Sequence, residues 1–196
     1  MRFPIVCVGG SAGGLESYIQ VLKLMPPDMD IAIVIVNHVS SRPTNLHQFL
    51  KRYTSMPIIL ITEKLNIKPN HVYIIPHKCE LHVLDGHFRL KPLTKLSGWP
   101  NVISLFLSSL AKHWEGLLIA VIVSGLDGDG SHALGDVKKA GGIVMAQNPD
   151  LSEWSDMPEN AIKTGYVDYV LSIEDIVKKI IQIVSMSATP PKSNII

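Results

Sequence analysis

The sequence predicts an α/β protein with a doubly wound, mostly parallel sheet, helices on both faces of that sheet and one antiparallel β-hairpin. Short apolar runs typical of buried strands alternate with segments of helical periodicity, and this alternation is typical of βαβ units. Residues 31–36 and 117–123 are apolar throughout, as in strands that are covered on both faces. The pair Asp85-Gly86 between two short strand patterns is a two-residue turn signal that predicts the hairpin.

Strands are predicted where runs are rich in apolar and β-branched residues: 3–8, 31–37, 57–61, 71–75, 118–124, 143–147 and 166–171, with hairpin strands at 80–84 and 87–91. Helices are predicted where apolar residues recur at helical spacing: 14–25, 45–53, 102–113, 133–140, 158–164 and 173–185. The 196 residues suffice for one domain with a substantial core. We expect that domain to span residues 1–187, followed by a flexible tail at 188–196.

The composition excludes several classes of protein. Hydrophobic residues make up 46% of the chain, which is too apolar for a disordered protein. A formal net charge of +1 gives no support for binding to nucleic acid or to a membrane surface. The two cysteines form no C-x-x-C pair, and no apolar run approaches the ~20 residues that span a bilayer. We therefore expect a cytoplasmic protein that binds no nucleic acid and does not insert into a membrane.

A glycine-rich stretch, Val-Gly-Gly-Ser-Ala-Gly-Gly-Leu at residues 8–15, joins the first predicted strand to the first predicted helix. Glycine permits the positive φ angles and the close backbone approach that such an abrupt turn requires. The turn would place Ser11 at the carboxyl edge of the sheet, at the positive end of the following helix. A hydroxyl group in that position can attack a substrate or hold an anion.

Other polar residues follow neighbouring strands at the same predicted edge, where the active centres of open parallel sheets are found. Asn37-His38 ends the second strand, and Asp127 and Asp129 lie in the glycine-rich turn after the strand at 118–124. Serine, histidine and aspartate are the parts of a nucleophile, a general base and a carboxylate that orients the base. The spacing alone does not choose between the two aspartates, since either one could instead stabilise the turn or start the next helix.

One other interpretation of the glycine-rich stretch remains. It could be a phosphate or dinucleotide loop in which Ser11 caps the helix, although it matches neither G-x-G-x-x-G nor a P-loop with its lysine. It does match G-x-S-x-G, the pattern of a nucleophile elbow. We do not expect the ordinary α/β-hydrolase fold, because only ten residues precede Ser11 and the partner order would be Ser, His, Asp rather than Ser, Asp, His.

A zinc site could be drawn from His77, Cys79, His82 and His87. The hairpin explains these residues more simply, with His82 and His87 as cross-strand neighbours around the turn. We therefore expect no metal ion and no other cofactor.

Several ordered motifs resemble the catalytic domain of the CheB-type protein-glutamate methylesterases of bacterial chemotaxis. The resemblance covers residues 3–183 in the family's order, and it is carried by the stretches 8–15, 36–38, 72–76, 124–130, 140–142, 146–148 and 157–162. It implies a metal-independent serine esterase that removes methyl groups from γ-glutamyl methyl esters on the cytoplasmic helices of chemoreceptors. Deamidation of glutamine at the same centre is a secondary activity that the resemblance allows.

The resemblance also implies roles for individual residues. Ser11 matches the nucleophile, His38 the general base and Asp129 the carboxylate that orients it. The oxyanion hole would be formed by main-chain N–H groups near Ala12 and Leu126. Met157 would shape the wall of the substrate pocket.

The sequence departs from the family's pattern at four positions. Ala12 replaces a threonine, Leu126 a methionine, Asn101 a serine or threonine, and Ile103 an aspartate that we expect near the substrate. The changes at Ala12 and Ile103 keep a second hypothesis open, a non-catalytic interaction or ligand-binding domain that has retained the fold. Because the sequence starts at the first strand, we expect a receiver or methyltransferase domain to act from another chain or from a longer one.

Overall fold

The computed structural model describes residues 3–37, 45–93 and 101–188, and within them it confirms the predicted fold class. The main sheet of the described residues has seven parallel strands in the order β3-β4-β2-β1-β7-β8-β9. These strands are β1 (Ile5–Gly10), β2 (Ala32–Asn37), β3 (Ile58–Leu60), β4 (His71–Ile74), β7 (Leu118–Ile122), β8 (Ile143–Gln147) and β9 (Tyr169–Leu171). Strands from the first half of the chain lie on one side of β1 and strands from the second half on the other, as in a doubly wound sheet.

The α-helices lie on both faces of this sheet. They are α1 (Gly14–Leu24), α2 (Leu46–Leu50), α3 (Val102–His113), α4 (Leu134–Lys139), α5 (Asp156–Lys163) and α6 (Ile173–Ala188). One core cluster joins the sheet to α1, α2 and α6, and the other joins it to α3, α4 and α5. The predicted helix at 45–53 is shorter than expected, because a 3-10 turn replaces its end at residues 51–53. The predicted helix at 133–140 is also shorter, and a 3-10 turn at residues 131–133 precedes it.

The strands explain why the apolar runs are continuous. Along β1, Val6 and Val8 belong to one core cluster, while Ile5 and Cys7 belong to the other. Side chains of a strand point alternately to the two faces, and both faces are covered here. Every residue of β1 is therefore buried, and no polar face is needed.

The predicted hairpin consists of β5 (Cys79–Leu84) and β6 (His87–Pro92), which pair antiparallel in a separate sheet. Its turn residues Asp85 and Gly86 both have positive φ, at 52° and 76°, as the favoured two-residue turn requires. The expected pairing of His82 with His87 is wrong. The turn places His87 opposite Leu84 and His82 opposite Arg89, because the residues that flank a two-residue turn must face each other.

The register of the central strands decides which residues meet at the carboxyl edge. β1 lies between β2 and β7, with Gly10 opposite Asn37 and Gly9 opposite Ile122. The chain therefore leaves all three strands at the same edge. At the C-terminus, α6 includes Ala188, the first residue of the predicted tail, and residues 189–196 lie outside the described part.

Within the described ranges, no helix combines the length and the apolar character needed to cross a bilayer.

Candidate active site

Ser11 lies in a tight turn between β1 and α1. Its N–H donates to the carbonyl oxygen of Ser124 (2.9 Å), and its own carbonyl oxygen accepts from the N–H of Gly14 (3.1 Å). Gly13 takes a left-handed conformation, with φ of 71°, and it occupies the N-cap position of α1. The helix cap is therefore Gly13 rather than Ser11, which weakens the interpretation of Ser11 as a capping residue of a phosphate loop.

The turn also approaches the end of β2. A Cβ atom at Gly10 would lie 2.7 Å from the Tyr18 hydroxyl oxygen, so only glycine fits there. The Tyr18 hydroxyl donates to Asn37 Oδ1 (3.1 Å) and thereby ties α1 to the residue before His38. The predicted general base, His38, lies outside the described residues.

Asp129 is held at the N-terminus of α3. Its side chain is buried (2% exposed); Oδ1 accepts from the N–H groups of Ser104 (2.9 Å) and Gly130 (2.7 Å), and Oδ2 from the N–H of Ile103 (2.9 Å). The first N–H groups of a helix need external acceptors, and they stabilise a negative charge placed among them. Since the N-cap residue Asn101 makes no side-chain cap bond, Asp129 supplies the cap from another segment.

Asp127 occupies a different environment in the same turn. It is half-buried, and its Oδ1 accepts from the N–H of Asp129 (2.8 Å), a local bond typical of turn aspartates. Its carbonyl oxygen accepts from Asn160 Nδ2 (3.2 Å), which links the turn to α5. The structure thus separates two aspartates that the sequence pattern leaves equivalent.

Ile103 packs beneath this edge of the sheet. It is fully buried, and its Cγ2 would lie 2.6 Å from a Cβ atom at Gly9 and 3.0 Å from one at Gly130. The expectation that position 103 lies on the substrate side is therefore wrong, because the side chain fills the core between β1 and the Asp129 turn. Burial raises the pKa of the Cys7 thiol well above its usual range, and the nearby negative charge of Asp129 adds to that rise.

Several N–H groups around Ser11 are already used within the protein. Those of Ser11 and Gly14 bond as described above, and that of Gly125 donates to the Trp154 carbonyl oxygen (3.1 Å). These groups are therefore not available to a developing oxyanion. The N–H groups of Ala12 and Leu126 stay predictions for that role, and the Leu126 side chain is 43% exposed at the edge of the sheet.

Met157 lies directly beside Ser11. Its side chain is fully buried, and its N–H donates to the Gly125 carbonyl oxygen (3.0 Å). A Cβ atom at Gly125 would overlap the Met157 sulfur and would lie 3.1 Å from the Ser11 Cβ. The absence of a side chain at Gly125 thus leaves room for Met157 to pack next to Ser11.

A cavity of about 370 Å³ opens on the other side of Ser11. Its described lining is largely apolar and consists of Ser11, Gly13, Leu15, Tyr18, Asn37, Asn45, Leu46 and Phe49. The residues from α2 were not predicted from the sequence, because their apolar spacing is also that of ordinary core residues. Among the described residues, no three His, Cys, Asp or Glu side chains converge in a way that could hold a metal ion.

The comparison with protein families decides between the interpretations of this arrangement. The model of the CheB methylesterase family matches residues 6–180. The chain belongs to the CheB methylesterase family. The resemblance of the motifs at 8–15 and 124–130 is thereby confirmed.

Individual members of the CheB methylesterase family agree with this assignment. A relative from Leptospira interrogans is 30% identical over 185 residues, covering 93% of this chain and 96% of the relative. A relative from Rhizobium meliloti, named protein-glutamate methylesterase/protein-glutamine glutaminase of group 3 operon, is 30% identical over 194 residues, covering 96% of this chain and 54% of its own length. The Leptospira protein is named "Putative protein-glutamate methylesterase/protein-glutamine glutaminase", with the same pair of activities.

The crystal structure of the Thermotoga maritima CheB methylesterase catalytic domain shares the fold. It superposes with a TM-score of 0.85 at 28% identity and covers 93% of this chain and 100% of the Thermotoga chain. The relatives' names describe carboxylic ester hydrolases, in agreement with the enzyme class that the sequence predicts.

Proposed function

We propose that the protein is a serine hydrolase that demethylates γ-glutamyl methyl esters of chemoreceptors, and also deamidates glutamine, in chemotaxis-type signalling. The observation that carries the proposal is the placement of two groups at the same edge of the sheet. Ser11 stands on a strand-to-helix turn, and the buried Asp129 carboxylate follows the neighbouring strand β7. Membership of the CheB methylesterase family and the names of the relatives support the same chemistry.

In the proposed first step, the Ser11 hydroxyl oxygen attacks the γ-carbonyl carbon of the ester while His38 takes the hydroxyl proton. The serine hydroxyl is a weak nucleophile until an imidazole removes its proton. Asp129 would orient that imidazole and stabilise its positive charge. Asp129 suits this task because α3 and Gly130 hold its carboxylate in one orientation.

The tetrahedral intermediate then collapses. The bond to the methoxy oxygen breaks, His38 returns its proton to that oxygen, and methanol leaves an acyl-enzyme on Ser11. Water, activated by His38, hydrolyses this ester, which releases the receptor with a free glutamate side chain and restores the Ser11 hydroxyl. With a glutamine side chain, ammonia leaves in place of methanol by the same route.

The N–H groups of Ala12 and Leu126 would stabilise the oxyanion, each contributing about 3 kcal/mol in the transition state. Main-chain donors survive a change of side chain, so the departures at these two positions do not remove them. Met157, packed against Gly125 beside Ser11, would shape the wall of the substrate pocket. The remaining cavity residues would contact the segment that carries the ester.

The proposed partners are the methylated cytoplasmic helices of chemoreceptors, which places the protein in the cytoplasm. A receiver or methyltransferase domain, on another chain or on a longer one, would control the activity. The apolar lining formed by Leu15, Leu46 and Phe49 supports docking of a helical substrate through its apolar residues. The catalytic domain would comprise residues 1–187.

The proposal is tested first by reaction with a fluorophosphonate probe, which labels activated serines. We expect the wild type to be labelled, and both Ser11→Ala and His38→Ala to lose labelling while keeping the wild-type melting temperature within a few degrees. Labelling that persists in Ser11→Ala would exclude Ser11 as the nucleophile.

The second test measures methanol release from methylated receptor fragments. Release by the wild type that is lost in Ser11→Ala establishes the esterase activity on this class of substrate. An unlabelled wild type that binds the fragments without releasing methanol would instead establish the non-catalytic interaction domain.

A further inference from the structure

Ser124 connects the segments that surround Ser11. It is buried (1% exposed) just beyond the end of β7. Its hydroxyl donates to the Ala12 carbonyl oxygen (2.8 Å) and accepts from the N–H of Trp154 (2.9 Å), while its carbonyl oxygen accepts from the N–H of Ser11 (2.9 Å). One residue thus joins the nucleophile turn to the segment that leads into α5.

The backbone around Ser124 is adapted to this contact. A Cβ atom at Gly13 would lie 2.5 Å from the Ser124 hydroxyl oxygen, so the hydroxyl packs directly on the turn that carries Ser11. The N–H of Ser124 donates to Gln147 Oε1 (3.0 Å), which also accepts from the Ser17 hydroxyl (3.1 Å). Gln147 is itself buried, and this second layer holds Ser124 in place.

We propose that Ser124 is a positioning residue for the reaction of Ser11. Its hydroxyl fixes the Ala12–Gly13 peptide through the Ala12 carbonyl oxygen. This peptide adjoins the Ser11–Ala12 peptide, which carries the Ala12 N–H, so fixing it restricts the directions in which that N–H can point. The same hydroxyl accepts from the N–H of Trp154, whose carbonyl oxygen in turn accepts from the N–H of Gly125. This inference rests on the proposed function, because orientation of the Ala12 N–H affects turnover only if Ser11 is the nucleophile.

Substitution of Ser124 by alanine removes both side-chain hydrogen bonds and leaves the Ala12 carbonyl and the Trp154 N–H without these partners. Small displacements of groups that act in the transition state lower turnover much more than they weaken substrate binding. We expect kcat on a methyl ester substrate to fall about 10- to 100-fold while KM changes less than about threefold.

Ser109→Ala is the matched control. The Ser109 hydroxyl likewise bridges two main-chain groups of another segment, accepting from the N–H of Val83 (2.8 Å) and donating to its carbonyl oxygen (3.3 Å). It links α3 to the hairpin, away from Ser11. Both variants should lower the melting temperature, but only Ser124→Ala should lower kcat.

Hydrogen exchange adds a readout that does not depend on turnover. We expect faster exchange of the main-chain amides at residues 11–14 in Ser124→Ala and unchanged exchange there in Ser109→Ala. If the wild type is active and Ser124→Ala has the same kcat as Ser109→Ala, Ser124 is not a positioning residue, and the proposed function still stands. A wild type that hydrolyses no ester would overturn the proposed function and this inference with it.

Discussion

Two parts of the molecule that pack on α3 make different kinds of contact. At the active-site edge, residues 11–14 and 124–130, the turn that carries Asp129 meets the N-terminus of α3 through a buried carboxylate, the main-chain N–H groups of the helix and a close contact between Gly130 and Ile103. The hairpin meets the body of the same helix through aromatic rings. Phe88 lies edge-on to Tyr73 with ring centroids 5.0 Å apart, and 6.3 Å from the ring of Phe106.

This contrast separates two uses of buried groups. Burial of aromatic side chains stabilises the fold without directing any group toward a substrate. Buried polar groups add little net stability, because their hydrogen bonds replace those with water, but they hold their partners in one orientation. We therefore expect substitutions at the active-site edge to change turnover more than stability, and substitutions in the hairpin to do the reverse.

The largest effect on turnover, apart from loss of Ser11 or His38, is expected for Asp129→Asn. The amide can keep one acceptor oxygen for the N-terminus of α3, but it cannot stabilise an imidazolium. We expect kcat to fall about 10⁴-fold, with a loss of only about 1 kcal/mol in the free energy of unfolding. Steady-state methanol release and denaturant unfolding measure the two quantities.

Asp127→Asn is the control for this prediction. Its amide oxygen can still accept the N–H of Asp129, so kcat should stay within a few-fold of the wild-type value. Equal losses of turnover in the two variants would show that the turn as a whole, rather than the Asp129 carboxylate, is required.

Phe88→Ala should have the largest effect on stability. The side chain is fully buried between the hairpin, β4 and α3, and its removal leaves a cavity. We expect a loss of about 3–5 kcal/mol in the free energy of unfolding. The rate per active site, counted by titration with the fluorophosphonate probe, should remain that of the wild type.

The exposed Leu84, 40% accessible on the same hairpin, provides the comparison. Leu84→Ala should change the free energy of unfolding by less than about 0.5 kcal/mol. A fall in the rate per active site in Phe88→Ala would mean that α3 transmits changes in the hairpin to Asp129.

The smallest effect is expected far from both regions, at the start of α6. Hydrogen bonds from the Lys178 ammonium and the Ser172 hydroxyl lower the pKa of the exposed Asp175 carboxyl. A pKa lowered by folding contributes stability above the pKa of the unfolded chain, and that stability is lost as the pH falls through the folded value. Asp175→Asn should therefore lower the melting temperature by at most about 2 °C at pH 7 and leave it unchanged at about pH 2.

Glu174→Gln controls for the charge of the first helical turn, since it leaves the hydrogen bonds of Asp175 in place. If the difference in melting temperature between Asp175→Asn and the wild type persists at about pH 2, it comes from the changed hydrogen bonds of the side chain rather than from its charge.

Much of the architecture could be predicted because its signals are local. Continuous apolar runs predict strands buried on both faces, and Asp85-Gly86 predicts a two-residue turn whose positive φ angles the structure confirms. The glycine pattern around Ser11 predicts a sharp turn between strand and helix. The predicted ends of the helices are less accurate than their positions, because a 3-10 turn keeps the same apolar spacing over a few residues.

By itself, the sequence determined the order of strands and helices along the chain and the edge of the sheet at which Ser11 stands. Through its motifs it also determined the family. Only the tertiary structure decided which aspartate is buried, where Ile103 points and what Ser124 holds. Periodicity and turn chemistry act over a few neighbouring residues, whereas Asp129 meets Ile103 and Ser104 across 25 or more positions of the chain. Such contacts depend on how the helices pack on the sheet, which no local pattern records.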